Sequence, residues 1–143
     1  LGSRIKNPTE PQEPVKREGR VDFENVTFKY GDQTVLKDID LHVEPGQVIA
    51  VMGATGMGKT SLITLLGRTY DVVRGSLLVD GVDVRKQDLH ALRNSIGVVM
   101  QETFLFSETI ADNIRFGRPE ATQEQVEKAA RAAQEFFRAH GTL

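Results

Sequence analysis

The chain has no cysteine, no tryptophan and no large excess of charge of either sign. Without cysteine it forms neither disulfides nor thiolate metal sites, as is typical of proteins in a reducing compartment. The formal net charge is −2 and basic residues are scattered among acidic ones, so there is no basic stripe of the kind that nucleic acids require. No apolar run approaches the roughly 20 residues that span a bilayer. These absences predict a soluble chain that does not bind nucleic acid.

The residues that are present have the composition of a folded domain. Of 143 residues, 39% are hydrophobic and 27% are charged, which is enough apolar material for one core. Residues 1–20 are rich in proline and charge, a pattern typical of a linker. We therefore predict a linker over 1–20 and a domain over 21–143.

Strand patterns dominate the first part of this domain. Residues 21–30 alternate apolar and polar with a slip at Asn25, which predicts a bulged strand. The Asp-Gly pair at 80–81 separates two apolar runs and predicts a hairpin. The runs at 47–52 and 96–100 are continuously apolar, as in strands buried on both faces of a parallel sheet. Together with the helical patterns, they predict an α/β fold.

Helical patterns alternate with these strands. Residues 59–68 predict one helix, and Ser107 is the expected N-cap of a short helix further along. In the last helix, Thr122 and Gln125 form a capping box. The phenylalanines at 136–137 extend its apolar face, and packing in a core is expected for them.

The stretch "GATGMGKTS" at 53–61 lies between an apolar run and a helix. It fits the pattern G-x-x-x-x-G-K-[ST], in which glycines let backbone N–H groups turn towards phosphate oxygens. Lys59 would reach the β- and γ-phosphates, and the Thr60 hydroxyl can bind Mg²⁺. A glycine-rich turn is the alternative, but the complete match in this context predicts a nucleoside triphosphate site.

The sequence on both sides of this loop resembles one family. Tyr30 ends the first strand, Gln101 directly follows the run at 96–100, and the segment "ETFLFSETI" comes next. These features closely resemble the nucleotide-binding domain of ABC transporters, particularly exporters whose membrane and ATPase domains share one polypeptide. The resemblance covers about 21–134. It implies an α/β P-loop NTPase (ABC ATPase) core sheet, an N-terminal antiparallel β subdomain and the start of the helical subdomain.

The resemblance also implies roles for single residues, with ATP and Mg²⁺ as ligands. Tyr30 resembles the A-loop aromatic that stacks on adenine, whereas without the glycine-rich loop downstream a half-buried strand tyrosine would be the preferred interpretation. Gln101 resembles the Q-loop glutamine that reaches Mg²⁺ and the water near the γ-phosphate. Lys59 and Gln101 are thus the expected catalytic residues, and Thr60 and Gln101 the expected metal ligands. The expected nucleotide contacts are Tyr30, Gly53, Thr55, Gly56, Gly58, Lys59, Thr60 and Ser61.

The same resemblance implies partners and a place in the cell. A second nucleotide-binding domain, identical or different, would dimerise with this one, and transmembrane domains would contact the region Gln101–Ile110. Within that region Glu108 stands where exporters often carry glycine, which affects the expected turn. The parent protein would lie in a membrane, with this domain on the cytoplasmic face.

Several motifs of the family do not occur in these 143 residues. There is no LSGGQ-like signature and no switch histidine, and Asp80 is followed by Gly81 where a Walker B strand requires glutamate. The expectation is therefore a domain truncated before the signature, which binds ATP without hydrolysing it. Two other functions stay open at this stage: a regulatory or soluble ABC-type module, and an unrelated P-loop enzyme such as a GTPase, although no N-K-x-D motif is present.

Overall fold

A computed structural model describes residues 5–54, 56, 58–99 and 104–140. The chain forms two compact units, Leu1–Val98 and Val99–Leu143. The elements within the described residues are β1 (Val21–Tyr30), β2 (Gln33–Val43), α1 (Lys59–Leu66), β3 (Arg74–Val79), β4 (Val82–Asp83), α2 (Leu89–Asn94), α3 (Ile110–Arg115) and α4 (Gln123–His140).

The first unit is built on an antiparallel sheet with the strand order β2-β1-β3-β4. Phe23, Val26 and Phe28 of β1 are buried in the core. Successive side chains of a strand point to opposite faces, so Phe23 and Val26, three positions apart, share the core face only because the strand bulges between them. The register with β2 shifts between Phe23 and Val26, and Asn25 between them has a positive φ of 50°. The predicted bulge is thereby confirmed.

The hairpin between β3 and β4 is also confirmed. Asp80 and Gly81 have φ angles of 53° and 78°, as the two central residues of a type I′ turn require. The fully buried amide of Gln87 closes the hairpin from one side, since its Nε2 donates to the carbonyls of Val79 and Val82 at 2.8 and 2.9 Å.

The core of the first unit combines sheet residues with helix residues. The side chains of Leu65 from α1 and Leu92 from α2 join those of the strands in one cluster. Its buried members are Phe23, Val26, Phe28, Leu36, Leu65, Leu77, Val79, Val84 and Leu92. This cluster fixes α1, and therefore the loop before α1, on the sheet.

The two predicted parallel strands are not formed in the described part of the chain. Residues 47–52 and 96–99 are irregular, and Val48, Met52 and Val99 are 71%, 92% and 75% exposed. A strand buried on both faces needs hydrogen-bonded neighbours, and no ladder joins either run to another described segment. The prediction of strands at these two places is therefore wrong for this structure.

The predicted linker contacts the domain. Asp80 Oδ1 accepts hydrogen bonds from the backbone N–H groups of Glu18, Gly19 and Arg20 at 3.1, 2.8 and 2.9 Å. Residues 5–20 contain no helix or strand, but these bonds hold their last part along the tip of the β3–β4 hairpin. The domain boundary at 21 remains a prediction.

The second unit contains α3 and α4. The N-cap of α3 is Thr109, whose Oγ1 accepts from the N–H of Asp112 at 3.1 Å, so the prediction of Ser107 is wrong by two positions. Serine and threonine are both favoured at N-caps, but α3 begins at Ile110, so the residue at the N-cap position is Thr109. The predicted capping box of α4 is confirmed, since Thr122 Oγ1 accepts from the Gln125 N–H at 3.3 Å and Gln125 Oε1 accepts from the Thr122 N–H at 2.9 Å.

The phenylalanines near the end of α4 do not pack in a core. Phe136 and Phe137 are 58% and 45% exposed, whereas Val126 near the start of α4 is buried. The lengths of the helices explain this, because α3 has 6 residues and α4 has 18. At 1.5 Å rise per residue, α3 spans only about a third of α4.

Candidate functional site

Two glycines of the loop before α1 have a backbone conformation that favours glycine. Gly56 and Gly58 have φ angles of 83° and 86°, a left-handed conformation that L side chains rarely adopt. Gly58 is also packed closely against β2. A Cβ atom there would lie 2.8 Å from Leu36 Cδ2 and 3.2 Å from the Val35 carbonyl oxygen. Glycine at this position therefore satisfies both a backbone and a packing requirement.

The first turn of α1 presents backbone N–H groups at this loop. Gly58 is the N-cap, and glycine has no side chain that could accept the hydrogen bonds of the turn. The N–H groups of Lys59 and Thr60 belong to the four that lack an acceptor inside a helix. The positive end of the helix dipole lies at the same place. This end of α1 is therefore suited to an anion with several acceptor oxygens.

The Lys59 side chain folds over the same loop. Its Nζ donates to the carbonyl oxygens of Gly53 and Ala54 at 2.5 and 2.8 Å. These bonds hold a positive charge where the loop and the helix already favour an anion. An oxyanion here would gain a charge-assisted hydrogen bond, which is about twice as strong as a neutral one.

The two hydroxyl residues that follow differ in exposure. Thr60 is exposed at the first turn, whereas Ser61 is only 4% exposed. No group of three or more metal-ligating His, Cys, Asp or Glu residues occurs in the described part of the chain. Mg²⁺ usually keeps several waters and takes few protein ligands beside substrate phosphates. An exposed Thr60 hydroxyl next to a phosphate loop fits that donor set.

Tyr30 lies at the end of β1 in a cluster of three aromatic rings. Its ring centroid is 4.7 Å from that of Phe28 and 5.2 Å from that of Tyr70, with interplanar angles of 79° and 90°. Phe28 is buried, but Tyr30 and Tyr70 are 41% and 42% exposed. Sequence reasoning missed Tyr70, because nothing in the linear pattern places it beside Tyr30.

Most of the predicted loop residues lie together in the structure, whereas two predicted site residues are outside the described part of the chain. Gly53, Gly56, Gly58, Lys59, Thr60 and Ser61 form the loop and the first turn of α1. Thr55 and Gln101 lie outside the described residues. The role assigned to each of these residues remains a prediction.

The second unit carries an exposed aromatic surface, formed by Phe104, Phe106 and Phe116. Phe106 stacks on Phe116 at 4.5 Å and meets Phe104 edge-on at 5.0 Å, and the three rings are 77%, 42% and 67% exposed. The Asn113 side chain holds the loop before α3, accepting from the Phe106 N–H at 2.8 Å and donating to the carbonyl oxygen of Glu108 at 3.4 Å.

A comparison with protein families shows to which family the chain belongs. The family model "ABC transporter" matches residues 36–142, a range that begins on β2 and contains the loop, α1 and the aromatic surface. The chain belongs to the ABC transporter family. Its α/β fold, with an antiparallel sheet beside helices, is the N-terminal portion of the ABC ATPase fold.

Individual ABC transporters are similar over most of this chain. The ATP-binding/permease protein YgaD of Bacillus subtilis is 47% identical over 117 residues, which are 80% of this chain and 20% of that protein. The fatty acid ABC transporter ATP-binding/permease protein of Mycobacterium bovis is 46% identical over 134 residues, or 90% of this chain and 21% of that protein. The chain therefore spans about a fifth of the length of these relatives.

A solved structure has the same fold. The structure of a bacterial Atm1-family ABC exporter with ATP bound matches 89% of this chain and 22% of that exporter, with a TM-score of 0.78 and 37% sequence identity. Among the residues described in our chain, no helix is both long and apolar enough to cross a membrane.

Proposed function

We propose that this chain binds Mg-ATP as the nucleotide-binding part of an ABC exporter, and that hydrolysis in a complete dimeric transporter drives export. The observation that carries the proposal is the combination of left-handed glycines, a helix N-terminus and the Lys59 ammonium at one loop. Each of these features favours a polyphosphate, and they converge within nine residues of sequence, 53–61.

In this proposal each part of the site has one role in nucleotide binding. The loop N–H groups bind phosphate oxygens, Lys59 exchanges its carbonyl partners for the β- and γ-phosphates, and Tyr30 stacks on the adenine. Thr60 and Gln101 hold Mg²⁺, which when bound neutralises charge on the phosphates. The exposed Thr60 hydroxyl supports its assignment as a ligand of Mg²⁺, whereas the assignment of Gln101 as a ligand rests on sequence alone.

Hydrolysis needs groups that the chain does not supply. Attack of water on the γ-phosphate requires a residue that orients the water and donors that stabilise the transferred group. The sequence contains no Walker B aspartate–glutamate pair and no signature motif. We therefore propose that the 143-residue chain binds Mg-ATP and does not turn it over by itself. Steady phosphate release that Lys59→Ala abolishes would contradict this proposal, and Glu102 would be the first candidate for the base.

The names of the relatives support an exporter over a regulatory or soluble module. They are ATP-binding/permease proteins, and two rings of the exposed aromatic surface, Phe104 and Phe106, lie within the region Gln101–Ile110 that is predicted to contact membrane domains. We place the domain at the cytoplasmic face of a membrane, paired with a second nucleotide-binding domain. Photocrosslinking from position 104 in the assembled transporter should reach the membrane domains, and crosslinks to the second nucleotide-binding domain alone would contradict this arrangement.

The binding proposal is tested by removing the Lys59 charge. A charge-assisted hydrogen bond contributes about 1.5–3 kcal/mol, so Lys59→Ala should weaken Mg-ATP binding by about ten- to a hundredfold in isothermal titration calorimetry. Lys37→Ala makes the same change of charge at an exposed side chain of β2 to which no nucleotide contact is assigned, and should bind like the parent chain. Equal affinities of the two variants would refute the proposal.

A further inference from the structure

Tyr70 contacts the ring to which the proposed function assigns the base. The Tyr30 and Tyr70 rings meet at a right angle with centroids 5.2 Å apart. Phe28 contacts both, at 4.7 Å from Tyr30 and 5.7 Å from Tyr70. In a T-shaped pair the edge of one ring meets the face of the other, so the contact fixes the planes of both rings. Tyr30 is thus held by one buried ring and one half-exposed ring.

This aromatic cluster is connected to the phosphate loop by direct packing. Phe28 pairs with Leu36 across the β1–β2 ladder, and Leu36 is the side chain that lies against Gly58. Tyr70 is anchored from the other end of α1, because the adjacent Thr69 N–H donates to the Thr64 carbonyl at 3.1 Å. The helix that begins at the phosphate loop therefore also sets the position of the Tyr70 backbone.

We propose that Tyr70 is a positioning residue for nucleotide binding, which holds the Tyr30 ring in the orientation that stacks on the base. The inference rests on the proposed function, since it needs Tyr30 to bind the base. The buried Phe28 constrains one side of the Tyr30 ring. Because the Tyr30 side chain is 41% exposed, its other side would be free to turn without a second contact. Tyr70 removes that freedom before the nucleotide arrives, and so lowers the entropy cost of binding.

The proposal makes a prediction about which part of the nucleotide is affected. Aromatic pairs of this geometry change an equilibrium constant by about two- to tenfold. Tyr70→Leu should therefore weaken Mg-ATP binding by about that factor, with no change in the affinity for inorganic tripolyphosphate, which has no base. Tyr70→Phe keeps the ring and should bind both ligands like the parent chain.

A double-variant cycle separates positioning from a general structural effect. Because Tyr70 acts through Tyr30, Tyr70→Leu should cause no further loss of Mg-ATP affinity in a chain that already carries Tyr30→Leu. An equal additional loss in the double variant would overturn the proposal. A variant that loses tripolyphosphate affinity as well has a disturbed phosphate loop, and that result would also overturn it.

Intrinsic fluorescence gives a second measurement. The chain has two tyrosines and no tryptophan, so in Tyr70→Phe all of the tyrosine emission comes from Tyr30. Mg-ATP should change this emission and tripolyphosphate should not. If Tyr30→Leu binds Mg-ATP as tightly as the parent chain, the base-stacking part of the proposed function fails. If Tyr30→Leu weakens binding and Tyr70→Leu does not, only the positioning inference fails.

Discussion

Replacing Gly58 by alanine should be much more harmful than the same change at Gly56, although both glycines have nearly the same backbone. Their φ angles are 86° and 83°, and alanine in this conformation costs roughly 1–2 kcal/mol at either position. The surroundings differ, since a new Cβ at Gly58 would lie 2.8 Å from the buried Leu36 side chain, whereas no atom of the described residues lies within 4 Å of one at Gly56.

Overpacking of this kind adds about 1–3 kcal/mol. We therefore expect Gly58→Ala to lower the free energy of unfolding by about 2–5 kcal/mol and Gly56→Ala by about 1–2 kcal/mol. Urea unfolding followed by tyrosine fluorescence measures this difference, because both tyrosines of the chain lie in the first unit. Equal losses in the two variants would show that Gly58 is not packed against β2 as described.

Two further predictions concern stability. The Asp22 carboxylate is 8% exposed and is bonded to Arg20 at 2.9 Å and to His42 at 2.8 Å, and the hydrogen bond from Arg20 is the main cause that lowers its pKa. The stability that Asp22 contributes is therefore fully present above the pKa of this group in the unfolded chain, near 3.8. It is lost as the pH falls through the lower pKa of the folded state. Asp22→Asn should lower the free energy of unfolding at neutral pH by about 1 kcal/mol. In urea unfolding at several acid pH values, the free energy of unfolding should also vary less with pH than in the parent chain, and an unchanged pH dependence would contradict this. In α4, Thr122→Ala should cost about 1 kcal/mol and reduce helical circular dichroism, while Thr122→Ser should not; equal spectra of the two variants would contradict the observed cap.

The features that sequence predicted correctly are those that depend on near neighbours in the chain. The bulge at Asn25, the hairpin turn at Asp80 and Gly81 and the capping box at Thr122 each involve residues within a few positions. The glycine-rich loop is equally local, because its glycines, lysine and threonine lie within one turn and the first residues of one helix, and its role in binding phosphate remains a prediction.

The features that sequence did not predict depend on contacts between distant segments. The apolar composition of the runs at 47–52 and 96–99 favours burial. A strand also needs a hydrogen-bonded neighbouring strand, which the described residues do not provide. The exposure of Phe137 has the same origin, since α3 is too short to cover it. The Tyr30 and Tyr70 rings, whose centroids are 5.2 Å apart, belong to segments that are distant in sequence, and neither residue carries a local signal for their contact.

The central claim is that Mg-ATP binds at the loop before α1 through its backbone N–H groups. Nuclear magnetic resonance of the ¹⁵N-labelled chain, titrated with Mg-ATP, reports on each of these groups directly. We expect the largest shifts at the amides of Gly56, Gly58, Lys59 and Thr60, and we expect Lys59→Ala to raise strongly the concentration of Mg-ATP needed to produce them. Saturable shifts elsewhere in the chain, with the signals of these four amides unchanged, would contradict binding at this loop.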